Sequence, residues 1–375
     1  MHEDAIGANA AAPPPPPRAE LPDYWPPPAP PQPDPVEYAF SFDGSAREYF
    51  RIWIVNLALS IVTLGIYSAW AKVRTQRYFY ANTRLAGVPF EYLAKPLPIL
   101  KGRIIAVTLF TAYVLAGQFS LVWQLGLLAV IALATPWLIV RGLAFRARYS
   151  SWRGLVFRFI PDYGEAYIRY LLLLLPMVLT LGILYPWVQG KQKQFVVEHH
   201  RFGGHAFRFL TTPGRFYIPY LIAWGVITGW VFVAMFGVVG MTMATVGEGT
   251  GRTPPTWIPF AMMAVLYAGY FVVFVFLSAA LVNLVYNHVD IGGRRLQSRL
   301  KGRRLLAIYA LNTLAVLASA GLLIPWAKIR LARYRAESTG LLARDDLEGL
   351  VAERRGEIDA TAAEVDGLFD IDIGL

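Results

Sequence analysis

The sequence predicts a mainly α, polytopic helical membrane protein with internal repeats, and three observations predict it. Apolar residues make up 56% of the 375 and Asp, Glu, Lys and Arg only 16%, with a mean hydropathy of +0.43. Soluble domains average roughly 45–50% and about 25%, so this chain has too little charge to cover a water-facing surface. Long uncharged stretches recur along it, and one of them, carrying a Gly and a Trp, occurs three times. There is no cysteine, which excludes disulfides, thiolate metal sites and cysteine nucleophiles.

The ends differ from the body. Residues 1–35 hold 13 of the 26 prolines, including the run Pro13 to Pro17. Such a segment favours extended polyproline II and cannot build a core, so residues 1–37 read as a disordered proline-rich arm. Residues 38–336 read as a repeat-built membrane domain. The remainder, 337–375, reads as an acidic cytoplasmic tail: it has a net charge of −8, against +18 for residues 1–336.

Residues 52–71, 104–140, 170–190, 216–247, 253–289 and 305–327 lack charged side chains, and 104–140 is long enough to cross a bilayer twice. A spanning helix needs roughly 20 residues, so length allows seven crossings. Charge argues otherwise, because cytoplasmic loops collect Lys and Arg. Residues 72–103 carry seven basic residues, 141–158 five, 191–215 five and 294–304 six. The turn near Gly117 has none and 241–257 has only Arg252. All basic loops fall on one side if 52–71, 170–190 and 305–327 each enter and leave by the same face. The expectation is therefore four true spans in two hairpins, three re-entrant segments, and both termini cytoplasmic.

The three odd segments are copies of one another. TLGIYSAWAKVRTQRYFYANT from Thr63 aligns without gaps with TLGILYPWVQGKQKQFVVEHH from Thr180 and SAGLLIPWAKIRLARYRAEST from Ser319. Gly in an apolar helix is a natural break, having low helix propensity and access to unusual dihedrals. Thr63, Gly65, Thr180, Gly182 and Gly321 are the expected break residues. Broken backbone at membrane depth survives only where protein buries it or a cavity receives it. Trp70, Trp187 and Trp326 are the expected interface anchors. Lys72, Arg74, Arg77, Lys191, Lys328, Arg330 and Arg333 follow at spacings that place several on one helix face, where they would meet lipid phosphates.

A second repeat precedes each membrane unit. Phe40-x-Phe42, Phe90-x-Tyr92, Phe157-x-Phe159 and Phe207-x-Phe209 are period-two aromatic pairs, with a weaker fifth copy at Leu296. Gly87, Gly154, Gly204 and Gly293 lie three residues before the first member in four copies. Such pairs after Gly read as short strands. Five strands on one cytoplasmic or interfacial face are expected, pairing into a small sheet or packing as a collar, with the units alternating between re-entrant segment and hairpin.

The block FDGSAREYFRIWIVNLALSIVTLGIYSAWAKVRTQRYFYANT, the later copies of its TLG-x4-W core and the terminal FDIDIGL resemble the YjgN family of bacterial inner-membrane proteins, over roughly residues 38–375. The resemblance implies a location in the bacterial inner (plasma) membrane and transfers no catalytic residue. The third copy departs from the motif, reading Ser319-Ala320-Gly321.

The remaining constellations carry less chemistry. Glu198, His199, His200 and His205 form the one histidine cluster; the first copy has Asn82 and Thr83 in place of His199 and His200, so a structural turn is expected and no metal. Asn56 and Asn312 are intramembrane polar residues that coincide in the repeat while the second copy has Leu173, which favours helix-packing glue over a transport path. No phosphate loop, hydrolase elbow or dinucleotide fingerprint occurs, so neither an enzyme nor a cofactor is expected. The basic residues flank membrane segments, which points to the bilayer and its anionic lipids as partner rather than nucleic acid. Two readings of function stay open: a pore or permease-like transporter of small solutes, or a non-enzymatic envelope or lipid-organising scaffold that recruits a soluble partner.

Overall fold

The computed structural model describes residues 34–246, 255–344 and 347. The bulk of the proline-rich arm and of the acidic tail lies outside the described residues.

Five units follow one another, each a strand, a pair of helices and a second strand. The first unit is β1 (Val36–Phe42), α1 (Ala46–Val62), α2 (Ser68–Asn82) and β2 (Thr83–Leu85). The second is β3 (Val88–Tyr92), α3 (Pro96–Phe119), α4 (Leu121–Arg148) and β4 (Ser150–Trp152). The third opens on β5 (Leu155–Val156) and β6 (Arg158–Phe159). It continues through α5 (Tyr163–Tyr167), a π-helical turn at Ile168–Leu172, α6 (Leu174–Leu179), α7 (Tyr185–Glu198) and β7 (His200–Phe202). The fourth is β8 (His205–Phe209), α8 (Tyr217–Val246), α9 (Ile258–Tyr286) and β9 (Val289–Ile291). The fifth is β10 (Arg294–Ser298), α10 (Gly302–Ala318), α11 (Ile324–Glu337) and β11 (Thr339–Ala343).

All eleven strands belong to one antiparallel sheet, in the order β5-β4-β3-β2-β1-β11-β10-β9-β8-β7-β6. The two ends of that order, β5 and β6, are one stretch of chain interrupted only at Phe157, whose N–H still donates to the Ser150 carbonyl at 3.0 Å. The sheet therefore curls into a barrel and leaves no open edge, which removes the exposed strand edge that invites aggregation. Its last seam is between β1 and β11, with Val36 opposite Ala343 and Ala39 opposite Gly340.

Register places every helix pair on one rim. The pairs Phe42–Thr83, Tyr92–Ser150, Phe159–His200, Phe209–Val289 and Ser298–Thr339 are each the last and first strand residues around a helix pair. The opposite rim carries tight two-residue turns at Ala86-Gly87, Arg153-Gly154, Gly203-Gly204 and Gly292-Gly293, with φ from +50° to +87° at both positions. Positive φ at both central residues is the turn that matches strand twist. This explains the Gly before each aromatic pair. The sheet is larger than the expected five strands because the strand leaving each helix pair has no period-two aromatics to announce it. The expected collar is a barrel, and its closing strand, Thr339–Ala343, lies beyond residue 336.

The two members of each aromatic pair divide the core between them. Phe40, Phe90, Phe157, Phe207 and Leu296 pack in the barrel interior with Leu85, Trp152, Phe202 and Leu341. Phe40 stacks on Phe90 at 6.0 Å, Phe90 meets Trp152 at 6.2 Å, and Trp152 meets Phe202 at 6.0 Å. The second members, Phe42, Tyr92, Phe159 and Phe209, are each buried in a separate cluster at the foot of a helix pair. Ser298, the fifth, is buried too, and donates to Asn283 Oδ1 at 2.7 Å.

Among the described residues, four helical stretches are long and apolar enough to cross a membrane: Pro96–Phe119, Leu121–Arg148, Pro213–Ala244 and Ile258–Tyr286. They form the pairs α3–α4 and α8–α9. The other three pairs are shorter hairpins that turn at the repeated Gly. The helical share and these four stretches make the chain a helical membrane protein.

Candidate functional site

The three short hairpins share one turn, with the same backbone closure in each. Leu64, Leu181 and Ala320 have φ of 48°, 51° and 49°, and Gly65, Gly182 and Gly321 follow at 89°, 86° and 92°. The Gly N–H reaches back six residues inclusive, to Ser60, Met177 and Val316 carbonyls at 2.7, 2.8 and 2.8 Å, the Schellman closure of a helix end. Thr63, Thr180 and Ser319 then complete it. Each hydroxyl donates into the first helix, to Leu59, Pro176 and Val316, and accepts from the N–H of Tyr67, Leu184 or Leu323. The hydroxyl, not the threonine methyl, is what the turn uses, so Ser319 suffices in the third copy. The tips are apolar and bare: Leu64 and Leu181 are each 94% exposed.

Trp70, Trp187 and Trp326 are each the third residue of the second helix. Lys191 lies over Trp187 at 5.7 Å and Arg330 over Trp326 at 5.2 Å, while Trp70 stacks on Tyr67 at 6.2 Å. Arg77 and Arg333 act between units. Arg77 Nη2 donates to the Ala94 carbonyl at 3.3 Å and Arg333 Nη2 to the Gly44 carbonyl at 3.1 Å, each two residues past a strand end of the neighbouring unit. Lys72 and Arg74 are exposed. Lys328 is exposed too; its Nζ lies over the Tyr49 ring at 6.0 Å and it borders the cavity of the barrel.

Asn56 and Asn312 are buried and hold their hairpins together. Asn312 Nδ2 donates to the Ala327 carbonyl at 3.1 Å and Asn56 Nδ2 to Ala71 at 3.5 Å, both on the partner helix. The structure thus places these amides between helices.

Of the predicted cluster, Glu198, His199 and His200 sit at the foot of the third unit, whereas His205 opens β8 at the opposite, turn rim. His199 Nδ1–H donates to the Phe195 carbonyl at 2.9 Å, and Nε2 lies 3.5 Å from Glu165. His199, Glu165 and Asp162 bring one ligand atom each within 4.8 Å of one another. Arg169 pairs with Glu165 at 2.6 Å and Asp162 accepts from the Glu165 N–H at 2.8 Å, so both acids already have partners. His200 Nδ1–H donates to the Val196 carbonyl, and burial pushes its pKa below the usual histidine value.

The feature that gathers most side chains is the barrel interior. A cavity of about 670 Å³ runs from between α2 and α11, at Thr75, Gln76, Lys328 and Arg335, down to Arg294 and Leu347 at the turn rim. Its wall is mainly the aromatic ring described above. A companion cavity of about 560 Å³ reaches Arg146, Ser150 and His200. The arrangement is a cup with an apolar wall, Lys328 and Arg335 at the mouth between α2 and α11, and Arg294 and the buried Leu347 at the turn-rim end.

Residues 37–368 match the family described as "Bacterial protein of unknown function (DUF898)". The chain belongs to this family. Three curated relatives share the name "Inner membrane protein YjgN". The one from Salmonella typhimurium is 34% identical over 34% of this chain and 32% of its own length. That from Escherichia coli O157:H7 is 30% identical over 34% and 32%, and that from Escherichia coli K12 is 44% identical over 16% and 15%. The chain spans about a third of the length of the first two. No solved structure matches it significantly. The chain is accordingly a helical membrane protein of the DUF898 family, whose function is unknown, and it is similar over about a third of its length to inner-membrane proteins named YjgN.

One functional pair escaped the sequence reading. Tyr78 Oη accepts from the Ser45 N–H at 2.8 Å and donates to the Ser45 carbonyl at 2.9 Å. Tyr334 does the same to Lys301 at 2.7 and 3.1 Å. Each phenol pins the start of the first helix to the second. The signal was available: the same shift that aligns Asn56 with Asn312 aligns Tyr78 with Tyr334.

Proposed function

We propose that this protein binds a membrane amphiphile and organises lipid at the inner membrane without catalysing a reaction. The observation that carries the reading is the cup: an aromatic cavity of about 670 Å³ whose mouth holds Lys328 and Arg335. That volume is in the range of small-molecule sites, which run to roughly 300–1,000 Å³. Apolar tails gain by leaving water for such a wall, and the cations at the mouth complement an anionic head. In the same reading the three Gly-turn hairpins dip into the bilayer with their bare apolar tips and return, and the barrel sits on the cytoplasmic side, where the basic residues of its loops are expected. A water-filled permeation path would need a polar lining, which favours the lipid-handling reading over a permease for water-soluble solutes.

The test is lipid analysis of the purified full-length chain together with quenching of Trp152 by a brominated fatty acid. Saturable quenching, abolished in Phe90→Arg, is expected. No quenching, combined with flux of a water-soluble solute through reconstituted vesicles, would instead favour the permease.

A further inference from the structure

Outside the barrel, α8 and α9 enclose a second cavity of about 790 Å³ with a different character. Its wall is aliphatic, from Ile218, Ile222 and Val226 on one helix to Val272, Phe276 and Ala280 on the other. Both helices are candidate membrane spans, so the groove faces hydrocarbon. Its foot is polar, and no Asp or Glu contributes to the lining.

The foot is built around one cation. Arg215 Nη1 donates to His288 Nε2 at 3.1 Å, and His288 Nδ1 is 2.8 Å from the Leu284 carbonyl. A ring nitrogen facing a carbonyl must carry the proton, so Nε2 is the acceptor and the imidazole is neutral in this arrangement. The histidine therefore positions Arg215 without cancelling its charge. A guanidinium has five N–H donors; this bond uses one, and among the described residues no carboxylate pairs with Arg215. The neighbouring amide oxygens are engaged elsewhere. Asn283 holds Leu300 through both its amide atoms at 2.9 and 3.0 Å, and Asn287 Oδ1 accepts from the Ser298 N–H at 2.6 Å.

We propose that this groove is a binding site for one anionic phospholipid, its acyl chains along α8 and α9 and its phosphate on Arg215. Charge complementarity selects the occupant. A fork of free donors at the foot of an aliphatic groove, with no acid beside it, fits a phosphate attached to hydrocarbon. Both amide oxygens are engaged, so the groups left to meet an anion are donors, and the Arg215 charge carries the recognition. This site shares no residue with the barrel cup and stands or falls separately.

The experiment is native mass spectrometry of the full-length protein in detergent, titrated with phosphatidylglycerol, with phosphatidylcholine, or with inorganic phosphate. One tightly retained phosphatidylglycerol per chain is expected, preferred over phosphatidylcholine by about tenfold, as one charge-assisted contact supplies. Arg215→Gln should abolish the preference and Arg215→Lys should restore most of it, both eluting as the wild type does. Equal retention of the two lipids, or an unchanged preference in Arg215→Gln, overturns the proposal. Displacement of the lipid by millimolar inorganic phosphate also overturns it, since the site would then be one for a free anion. A variant that loses fatty-acid quenching in the barrel but keeps this preference leaves the proposal intact.

Discussion

Leu64 and Leu181 occupy a left-handed conformation that L-residues enter at a cost of roughly 1–2 kcal/mol, yet both stand at the bare tips of hairpins. The turn tolerates that strain because the following Gly and the Thr hydroxyl satisfy the freed backbone groups. Gly182→Val should therefore destabilise the protein by about 1–2 kcal/mol or more. The control is Gly126→Ala in α4, where a Cβ meets nothing within 4 Å and φ is not positive. Thermal unfolding in detergent measures both, and equal losses would show that φ at 182 is not what matters. At His200 the sign runs the other way from most ion-pair effects. A folded pKa below the usual 6.5 means the unfolded chain takes up the proton first. Stability is then complete above about 6.5 and is lost as pH falls from there towards the lowered folded value. His200→Thr, the residue that position has in the first copy (Thr83), should flatten that acid branch of the stability curve. The break residues and the two amides were legible because repetition exposed them. Tyr78 and Tyr334 were not singled out because a Tyr near a membrane boundary has an ordinary interfacial explanation.

At the level of elements, the aromatic pairs show how a short motif encodes two jobs. A strand exposes alternate residues to the same face, so both members point towards the barrel's inside. Their heights differ, and only the second reaches the helix feet. Phe209→Ala should cost about 3–5 kcal/mol, the usual loss for a buried Phe. Phe207→Ala should cost less and instead weaken quenching by the brominated fatty acid, because that ring lines the cup. If both variants unfold alike, the division of labour is wrong. The membrane hairpins have their own constraint at Gly269, where a Cβ would stand 2.1 Å from the Trp230 indole nitrogen. That nitrogen donates to the Val265 carbonyl at 3.0 Å. Gly269→Leu should push α8 from α9, break that bond and destabilise by about 1–3 kcal/mol, seen as a lower unfolding temperature and a shifted Trp emission. The strands announced by Gly and aromatics were legible. Their partners, such as Thr83–Leu85 and His200–Phe202, carry no pattern of their own; their assignment comes from the turn that joins them to the next strand.

Residues 36–343 form five helix pairs standing on one rim of a barrel, and that topology turns a charge argument into a geometric one. Helix pairs that leave and return at the same rim cannot place their feet on opposite sides of a membrane. The basic loops counted in the sequence are those feet and the strands below them. Positive charge near spans is expected on the cytoplasmic side, which supports the proposal that the barrel faces the cytoplasm and the tips of α3–α4 and α8–α9 face out. The sequence could argue this parity but not the closure, because the seam between Val36–Phe42 and Thr339–Ala343 joins segments some 300 residues apart with no shared motif. Single cysteines test the orientation cleanly in a chain that has none of its own. Gln118→Cys and Trp257→Cys, at the two tips, should react with a membrane-impermeant maleimide on intact cells. Arg208→Cys and Arg295→Cys, on exposed strand positions, should react only after lysis. Leu64→Cys, at a tip that dips and returns, should resist the reagent until detergent is added. Labelling of both Arg208→Cys and Arg295→Cys from outside would invert the orientation, and labelling of only one would split the barrel strands across the membrane, which a closed sheet forbids. The barrel would then have to be wrong before the topology could be right.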